Sequence, residues 1–289
     1  MKLAVVGLGL IGGSMALDLK KCGYVSEVFG VDQSIENQQS ALELKLVDKI
    51  VTLEGACKQS DIIIIATPVS SVITLLPRIL DLINEHQTVL DVGSTKNLII
   101  ECVRNHKYRA NFVATHPMAG TEFSGPSAAQ EGLFCGKATV ICDSLENHPD
   151  HLKKVNDMYL ALKMRVIEMK SIDHDLHVAY VSHLSHISSF VLANTVLDKE
   201  KDASAIFNLA SAGFESTVRL AKSSPEMWAP IFDQNQKNIV EALGDYIDRL
   251  KLFHESLKAH DYDQTKKYMY QSNEIKRILS QIQKTKEKE

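Results

Sequence analysis

A histidine, a carboxylate and a glycine turn fall together in Thr115-His116-Pro117-Met118-Ala119-Gly120-Thr121-Glu122, directly after the apolar run Phe112-Val113-Ala114. The run reads as a strand, Pro117 stops its ladder, and Gly120 permits a turn. A polar turn after a buried strand is where an α/β protein keeps its chemistry. Histidine titrates near neutrality, so His116 can take the proton of an alcohol as a hydride leaves the carbon. A satisfied core histidine would fit the position equally well, and Glu122 can be no more than a structural carboxylate at a turn. Residue type leaves both alternatives open.

A second concentration is Asp173-His174-Asp175-Leu176-His177-Val178-Ala179-Tyr180-Val181-Ser182-His183-Leu184-Ser185-His186. At ~100° per residue on a helix, Asp175, Ser182, His186 and Ser189 share a ~60° stripe, while His174 and His177 point elsewhere. Asp175 and His186 then stand ~16 Å apart along the axis, too far for one ion but suited to a long cleft. His183 and His186, three positions apart, supply two ligands, which do not make a metal site. No metal is expected, and the histidines can equally face solvent or a second subunit. Farther on, Arg219 offers a planar fork for a substrate carboxylate, or a partner for Glu215 one turn earlier. Trp228, the single tryptophan, follows a proline-started helix and can be core packing.

The elements that must position these groups begin at the N-terminus. Residues 2–7 form an apolar run expected of a strand buried on both faces. Gly7-Leu8-Gly9-Leu10-Ile11-Gly12-Gly13-Ser14 follows and opens a helical pattern ending near Gly23. A glycine triplet is weak evidence alone, but strand before and helix after is the context a dinucleotide loop needs. Gly7 permits the tight turn, Gly9 lets a pyrophosphate approach, and Gly12 lets helix and strand close up. The helix start at Leu10 and Ile11 supplies donors to the phosphate charge. Asp32 ends the second strand, 20 residues after Gly12, where a carboxylate accepts from ribose hydroxyls. It would repel a 2′-phosphate, and Gln33-Ser34 offers no arginine, so NAD is favoured over NADP.

Strands at 28–31, 62–66, 88–92, 112–116, 138–142 and 165–169 alternate with helices at about 35–44, 69–83, 96–106 and 149–162. That rhythm predicts parallel βαβ units in a doubly wound, Rossmann-type sheet, an α/β class. Thr67, Pro68 and Ser94 end strands on the cofactor edge and should line the nicotinamide half of a cleft. Ser94 can also be a mere helix N-cap. From Ser171 onward long helical patterns take over. The expected organisation is therefore a dinucleotide-binding domain over 1–170 and an all-helical domain over 171–289.

Composition narrows the class. The chain has 289 residues, 45% apolar, with a net charge of −4. Charges are dispersed, leaving no basic face for nucleic acid and no polybasic tail for lipid. No segment approaches the ~20 apolar residues of a membrane span, and the first residues do not read as a signal peptide. Cys22, Cys57, Cys102, Cys135 and Cys142 are scattered and odd in number, so they read as thiols, most of them in the core, rather than a disulfide framework. A soluble cytoplasmic protein is expected.

Taken together, these stretches resemble the prephenate dehydrogenase family, which includes the arogenate and cyclohexadienyl dehydrogenases of tyrosine biosynthesis. The resemblance spans nearly the whole chain. It rests on Gly7–Ser14, on Asp91-Val92-Gly93-Ser94-Thr95-Lys96, on the stretch from His116 to Gly125, on Ser182-His183-Leu184-Ser185-His186, and on Arg219 with Met227-Trp228. It implies NAD-dependent oxidative decarboxylation of prephenate to 4-hydroxyphenylpyruvate, with arogenate the alternative substrate. By the same resemblance, His116 bonds the ring hydroxyl and promotes hydride transfer, and Ser94 helps hold hydroxyl and nicotinamide. His183, His186 and Arg219 belong to the substrate end, and Glu122, Asp175 and Trp228 shape or gate that pocket. The resemblance further implies a homodimer formed by the helical domain and a cleft between the domains. Some members carry an acidic residue three positions before the arginine, where this chain has Ser216. Some are fused to a chorismate mutase or a regulatory domain, and neither is expected here. Three rivals stay open: a β-hydroxyacid dehydrogenase, which would use a lysine in the helical domain, a protein that senses NAD without turnover, and a metal-binding helical domain built on His174 to His186.

Overall fold

The computed structural model describes residues 1–202 and 209–286. Strands β1 (Lys2–Val6), β2 (Glu27–Val31), β3 (Lys49–Ile50), β4 (Ile62–Ile65), β5 (Thr88–Asp91), β6 (Phe112–Pro117), β7 (Ala138–Cys142) and β8 (Arg165–Met169) form one sheet. Their order is β3-β2-β1-β4-β5-β6-β7-β8. Helices α1 (Leu10–Lys21), α2 (Ile35–Glu43), α3 (Leu53–Gln59), α4 (Val69–Leu82), α5 (Asn97–Glu101) and α6 (Pro149–Ala161) connect them. The expected α/β, doubly wound sheet is present. The winding reverses between β1 and β4, which opens a crevice at the C-terminal strand ends.

The central strands owe their place to composition. Ile62-Ile63-Ile64-Ile65 is fully buried, one alternate set facing each of two cores. Leu3, Val5, Ile62 and Ile64 meet α1 and α6 residues such as Met15 and Tyr159 on one face. Ala4, Ile63 and Ile65 meet α4 residues such as Val72, Leu76 and Ile79 on the other. Burial on both faces removes any need for polar alternation.

Three local expectations differ from the structure. The short β3 and α3 lie where no element was predicted, because two strand residues and a polar seven-residue helix carry too little periodicity. The helix expected to reach His106 stops at Glu101 and continues as turns. Strands β6 and β7 pair antiparallel, because the segment between them returns without a crossover helix. That segment is fastened to α1: Gln130 N donates to Ser14 Oγ at 2.9 Å, Gly132 N donates to Asp18 at 3.0 Å, and Glu131 pairs with Lys21. Cysteines also depart from expectation: Cys57 and Cys142 are buried, Cys22 and Cys135 exposed and Cys102 intermediate.

Beyond the sheet come α7 (Ser171–Val178), a π-helical turn at Ala179–His183, α8 (Leu184–Asp202), α9 (Ala212–Val218), a 3-10 turn at Arg219–Lys222 and α10 (Pro225–Gln234). These belong to one compact unit, Met1–Gln236. The second unit, Lys237–Glu289, contains most of α11 (Gln236–Lys258), with α12 (Tyr262–Ser272) and α13 (Ile275–Lys286). Within it α11 and α12 form a hairpin: Phe253 meets Tyr268 at 6.4 Å and Thr265 donates to Ser256 at 3.0 Å. The Asp261 side chain caps α12 by accepting from Gln264 N. Among the described residues, no helix is long and apolar enough to cross a membrane.

Candidate active site

The glycine loop leaves β1 at the switch point. Gly7 has φ +98°, and a Cβ there would lie 2.6 Å from Ala66 O, so β1 and β4 can approach only at a glycine. A Cβ on Gly12 would come 2.2 Å from Gly7 O. Gly9 is the opposite case, with open space where its Cβ would be. It precedes the start of α1, where Leu10 and Ile11 present backbone donors and no side chain caps the helix. Asp32 follows β2. Its carboxylate accepts from Leu8 N and Ser34 N, both at 2.9 Å, which ties it to the glycine loop. Thr67 follows β4, and its Oγ1 is buried without a hydrogen-bond partner. Pro68 beside it is exposed and precedes α4. A buried orphan hydroxyl, an open glycine and an uncapped helix start on one sheet edge fit a nucleotide.

Ser94 lies in the loop between β5 and α5 and is partly buried. It does not cap α5. That task falls to Asp175 of α7, whose Oδ1 accepts from Lys96 N at 2.8 Å and whose Oδ2 accepts from Asn97 N at 2.9 Å. Lys96 turns inward as a wholly buried cation, paired with Asp91 and donating from Nζ to Thr115 O at 2.7 Å. Both members of this pair are 0% exposed, so the attraction acts in a medium where neither charge could stand alone. The pair fixes the end of β6, one residue before His116.

His116 is half-buried at the end of β6. Its Nδ1 lies 2.9 Å from His174 Nε2, and His174 Nδ1 lies 2.8 Å from Asp175 Oδ1. The two rings meet edge to face at 5.1 Å. His174 was expected to point away; instead it is 1% exposed and touches His116 directly. Burial depresses the His116 pKa well below its usual 6.5, and the neighbouring His174, Lys96 and His183 push the same way. The ring is therefore neutral at physiological pH and can accept a proton.

The stripe expected over Asp175, Ser182, His186 and Ser189 does not form. The π-helical turn at Ala179–His183 inserts extra backbone and changes the phase between α7 and α8. Asp175, expected at the substrate end, is 3% exposed and serves α5 and His174. His183, expected to meet substrate, is 1% exposed. It lies against Trp228 and Phe232 at 5.9 and 6.4 Å, with Nδ1 3.2 Å from Asn235 Nδ2. Asn235 Nδ2 also donates to Asp175 O at 2.7 Å. Ser189 joins α8 to the Arg219 segment by donating to Thr217 O at 3.0 Å and accepting from Ala221 N at 3.1 Å.

His186 remains partly open. It stacks on Trp228 at 3.6 Å, its Nδ1 donates to Ser182 O at 3.0 Å, and burial lowers its pKa. Arg219 does not pair with Glu215, which lies 3.9 Å from Lys222 instead. It reaches Glu122, with Nη1 3.6 Å from Oε2. Ser216, three positions before Arg219, is exposed, and Glu122 from the β6–β7 segment is the acidic group beside Arg219. Glu122, six residues after His116, meets Arg219, and His186 stacks on Trp228. Sequence reasoning missed His174, Lys96 and Asn235. A buried lysine at a strand end and a histidine beside an aspartate were the available signals. Among the described residues, no group of three or more His, Cys, Asp or Glu side chains could hold a metal ion.

Comparison with known proteins matches this architecture. Residues 15–168 match the family model described as prephenate dehydrogenase, nucleotide-binding domain, and residues 170–271 that described as prephenate dehydrogenase, dimerization domain. The chain is 29% identical to the prephenate dehydrogenase of Bacillus subtilis over 90% of this chain and 71% of that protein. It superposes with a TM-score of 0.87 on the prephenate dehydrogenase of A. aeolicus solved with hydroxyphenyl propionate and NAD+, at 27% identity over 96% and 97% of the two chains. The arogenate dehydrogenase of Synechocystis gives 0.76, also at 27% identity, over 96% and 100%. With its glycine loop, its hydrogen-bonded histidine pair and both family domains in order, the chain belongs to the prephenate dehydrogenase family.

Proposed function

We propose that the chain is an NAD-dependent prephenate dehydrogenase that converts prephenate to 4-hydroxyphenylpyruvate by oxidative decarboxylation. One observation carries the reading: a neutral imidazole, His116, stands at the end of β6 on the sheet edge that holds the nucleotide loop, with Nδ1 occupied and Nε2 left for a ligand. The A. aeolicus relative, solved with NAD+ and a hydroxyphenyl compound, supports it.

Leu10, Ile11 and Gly9 would receive the pyrophosphate, Asp32 the ribose, and Thr67, Pro68 and Ser94 the nicotinamide end. Bound NAD+ supplies the acceptor for the hydride that leaves the carbon bearing the hydroxyl. His116 takes the hydroxyl proton as the carbonyl forms. It returns that proton to the same oxygen as the ring loses its carboxylate as CO2 and becomes aromatic. Aromatisation drives the sequence, so the protein's task is to orient groups and stabilise charge. Arg219 keeps N–H donors beyond the Glu122 contact and would bind a substrate carboxylate. His186 and Trp228 form the wall beside it. Asp175 and His183 act from behind this surface. The matched models, one ending at 168 and the other starting at 170, support a division of labour near residue 170, and the helical half would make a homodimer.

The test is turnover of the purified protein with NAD+ and either prephenate or arogenate, with His116→Asn alongside. His116→Asn should lower kcat by about 10²–10⁴ while leaving the NAD+ dissociation constant unchanged. Near-normal turnover by the variant would sink the assignment, and faster turnover of arogenate than prephenate would replace the substrate named here.

A further inference from the structure

We infer that His174 and Asp175 are positioning residues that fix His116 in the tautomer protonated on Nδ1, so that its Nε2 lone pair receives the substrate hydroxyl. The inference rests on the proposed role of His116 as proton acceptor and adds what makes the correct nitrogen available.

The polarity of the chain follows from its far end. Backbone N–H groups of Lys96 and Asn97 point at the two Asp175 oxygens, which therefore act as acceptors. The Oδ1 contact with His174 Nδ1 at 2.8 Å then needs the proton on the histidine. A neutral His174 protonated on Nδ1 carries its lone pair on Nε2. The 2.9 Å contact with His116 Nδ1 also needs a proton, and only His116 can provide it. A neutral His116 protonated on Nδ1 has its lone pair on Nε2, where an alcohol can donate. The opposite polarity would need a cationic His174 at 1% exposure, with a second cation, Lys96, already buried at the same strand end. It would also leave His116 with an N–H toward the alcohol, unable to take its proton.

The framework around the chain resists rotation of either ring. Asn235 holds the Asp175 carbonyl at 2.7 Å, and Lys96 holds Thr115 O next to His116. The arrangement resembles in logic the carboxylate that orients a catalytic histidine in hydrolases, where a wrong tautomer costs about 10⁴ in kcat. Here a second imidazole stands between carboxylate and base.

Nitrogen-15 NMR on the full-length, histidine-labelled protein at neutral pH reads the tautomer directly, with His116 assigned by loss of its signals in His116→Asn. The expected result is a pyrrole-type Nδ1 and a pyridine-type Nε2 for His116. His174→Phe should shift His116 toward the tautomer protonated on Nε2 and lower kcat by about 10²–10⁴ with KM and NAD+ affinity nearly unchanged. His174→Gln, whose amide oxygen can accept the Nδ1 proton, should stay within about tenfold of wild type in kcat. A pyridine-type Nδ1 in the wild-type protein overturns the inference whatever the variants do. Wild-type turnover by His174→Phe overturns it also. Normal turnover by His116→Asn would instead remove the acceptor role while leaving the tautomer assignment standing, so the two failures are separable.

Discussion

His183 should make the first unit acid-labile, and the size of the effect can be worked out. The ring is 1% exposed among Trp228 and Phe232, and its Nδ1 faces the Asn235 amide donor at 3.2 Å. A proton on Nδ1 would set donor against donor. Burial is the main cause that lowers its pKa from 6.5 to about 4, with His174 and His186 adding to it and Asp175 opposing. Above pH 6.5 the ring is neutral in folded and unfolded chains alike, and its contribution is complete. Between 6.5 and about 4 the unfolded chain takes up a proton that the folded one refuses, so stability falls by ~1.4 kcal/mol per pH unit, about 3 kcal/mol in all. Urea denaturation followed by fluorescence of Trp228, the single tryptophan, reads this at the site itself. His183→Phe keeps the ring shape and removes the titration. The variant should lose about 2–3 kcal/mol less than wild type between pH 7 and 4.5. His151, also depressed by burial, titrates in both proteins and cancels in the comparison, and His116 and His186, whose main cause is likewise burial, change only by their smaller charge interaction with His183. Parallel pH dependences would refute the reasoning.

Two further outcomes follow from geometry. Gly7→Ala meets backbone atoms within 3 Å at φ +98° and should lower stability by about 1–3 kcal/mol, whereas Gly9→Ala meets nothing and should leave Tm unchanged yet weaken NAD+ binding; equal Tm values for both would contradict this. Arg219→Ala should raise KM for the acidic substrate by roughly 10–100-fold with kcat changed far less, as expected for a lost charged hydrogen bond. Because Arg219 is 53% exposed and only paired at 3.6 Å, its loss should leave stability within about 0.5 kcal/mol; an unchanged KM removes it as the carboxylate clamp.

The sheet was legible because two-face burial writes itself as Ile62-Ile63-Ile64-Ile65, and the nucleotide edge because only glycine satisfies the Gly7 and Gly12 contacts. His116 was legible as a position, at the end of a strand, but its partner was not. A helical wheel assumes constant phase, and the π-helical turn at Ala179–His183 breaks it, which is why Asp175 and His186 do not share a face. The antiparallel return of β7 and the Glu122–Arg219 contact depend on chain segments far apart in sequence. No local pattern encodes such meetings. Lys96 hid in plain sight, since lysines are seldom buried and nothing in Gly93-Ser94-Thr95-Lys96 states that its charge turns inward to Asp91.

Asp175 has a consequence for how the sequence can vary. One carboxylate ends the histidine chain and also closes the first backbone amides of α5, which have no acceptor within their own helix. Asparagine could cap one of those amides but would present a donor in place of the second oxygen; alanine would abandon both. A change at this position therefore cannot be tuned for activity alone, because the same atoms hold a helix in place. Drift in the chemistry of this protein is more readily accommodated at Glu122 or Arg219, on the exposed side, where one contact carries one task.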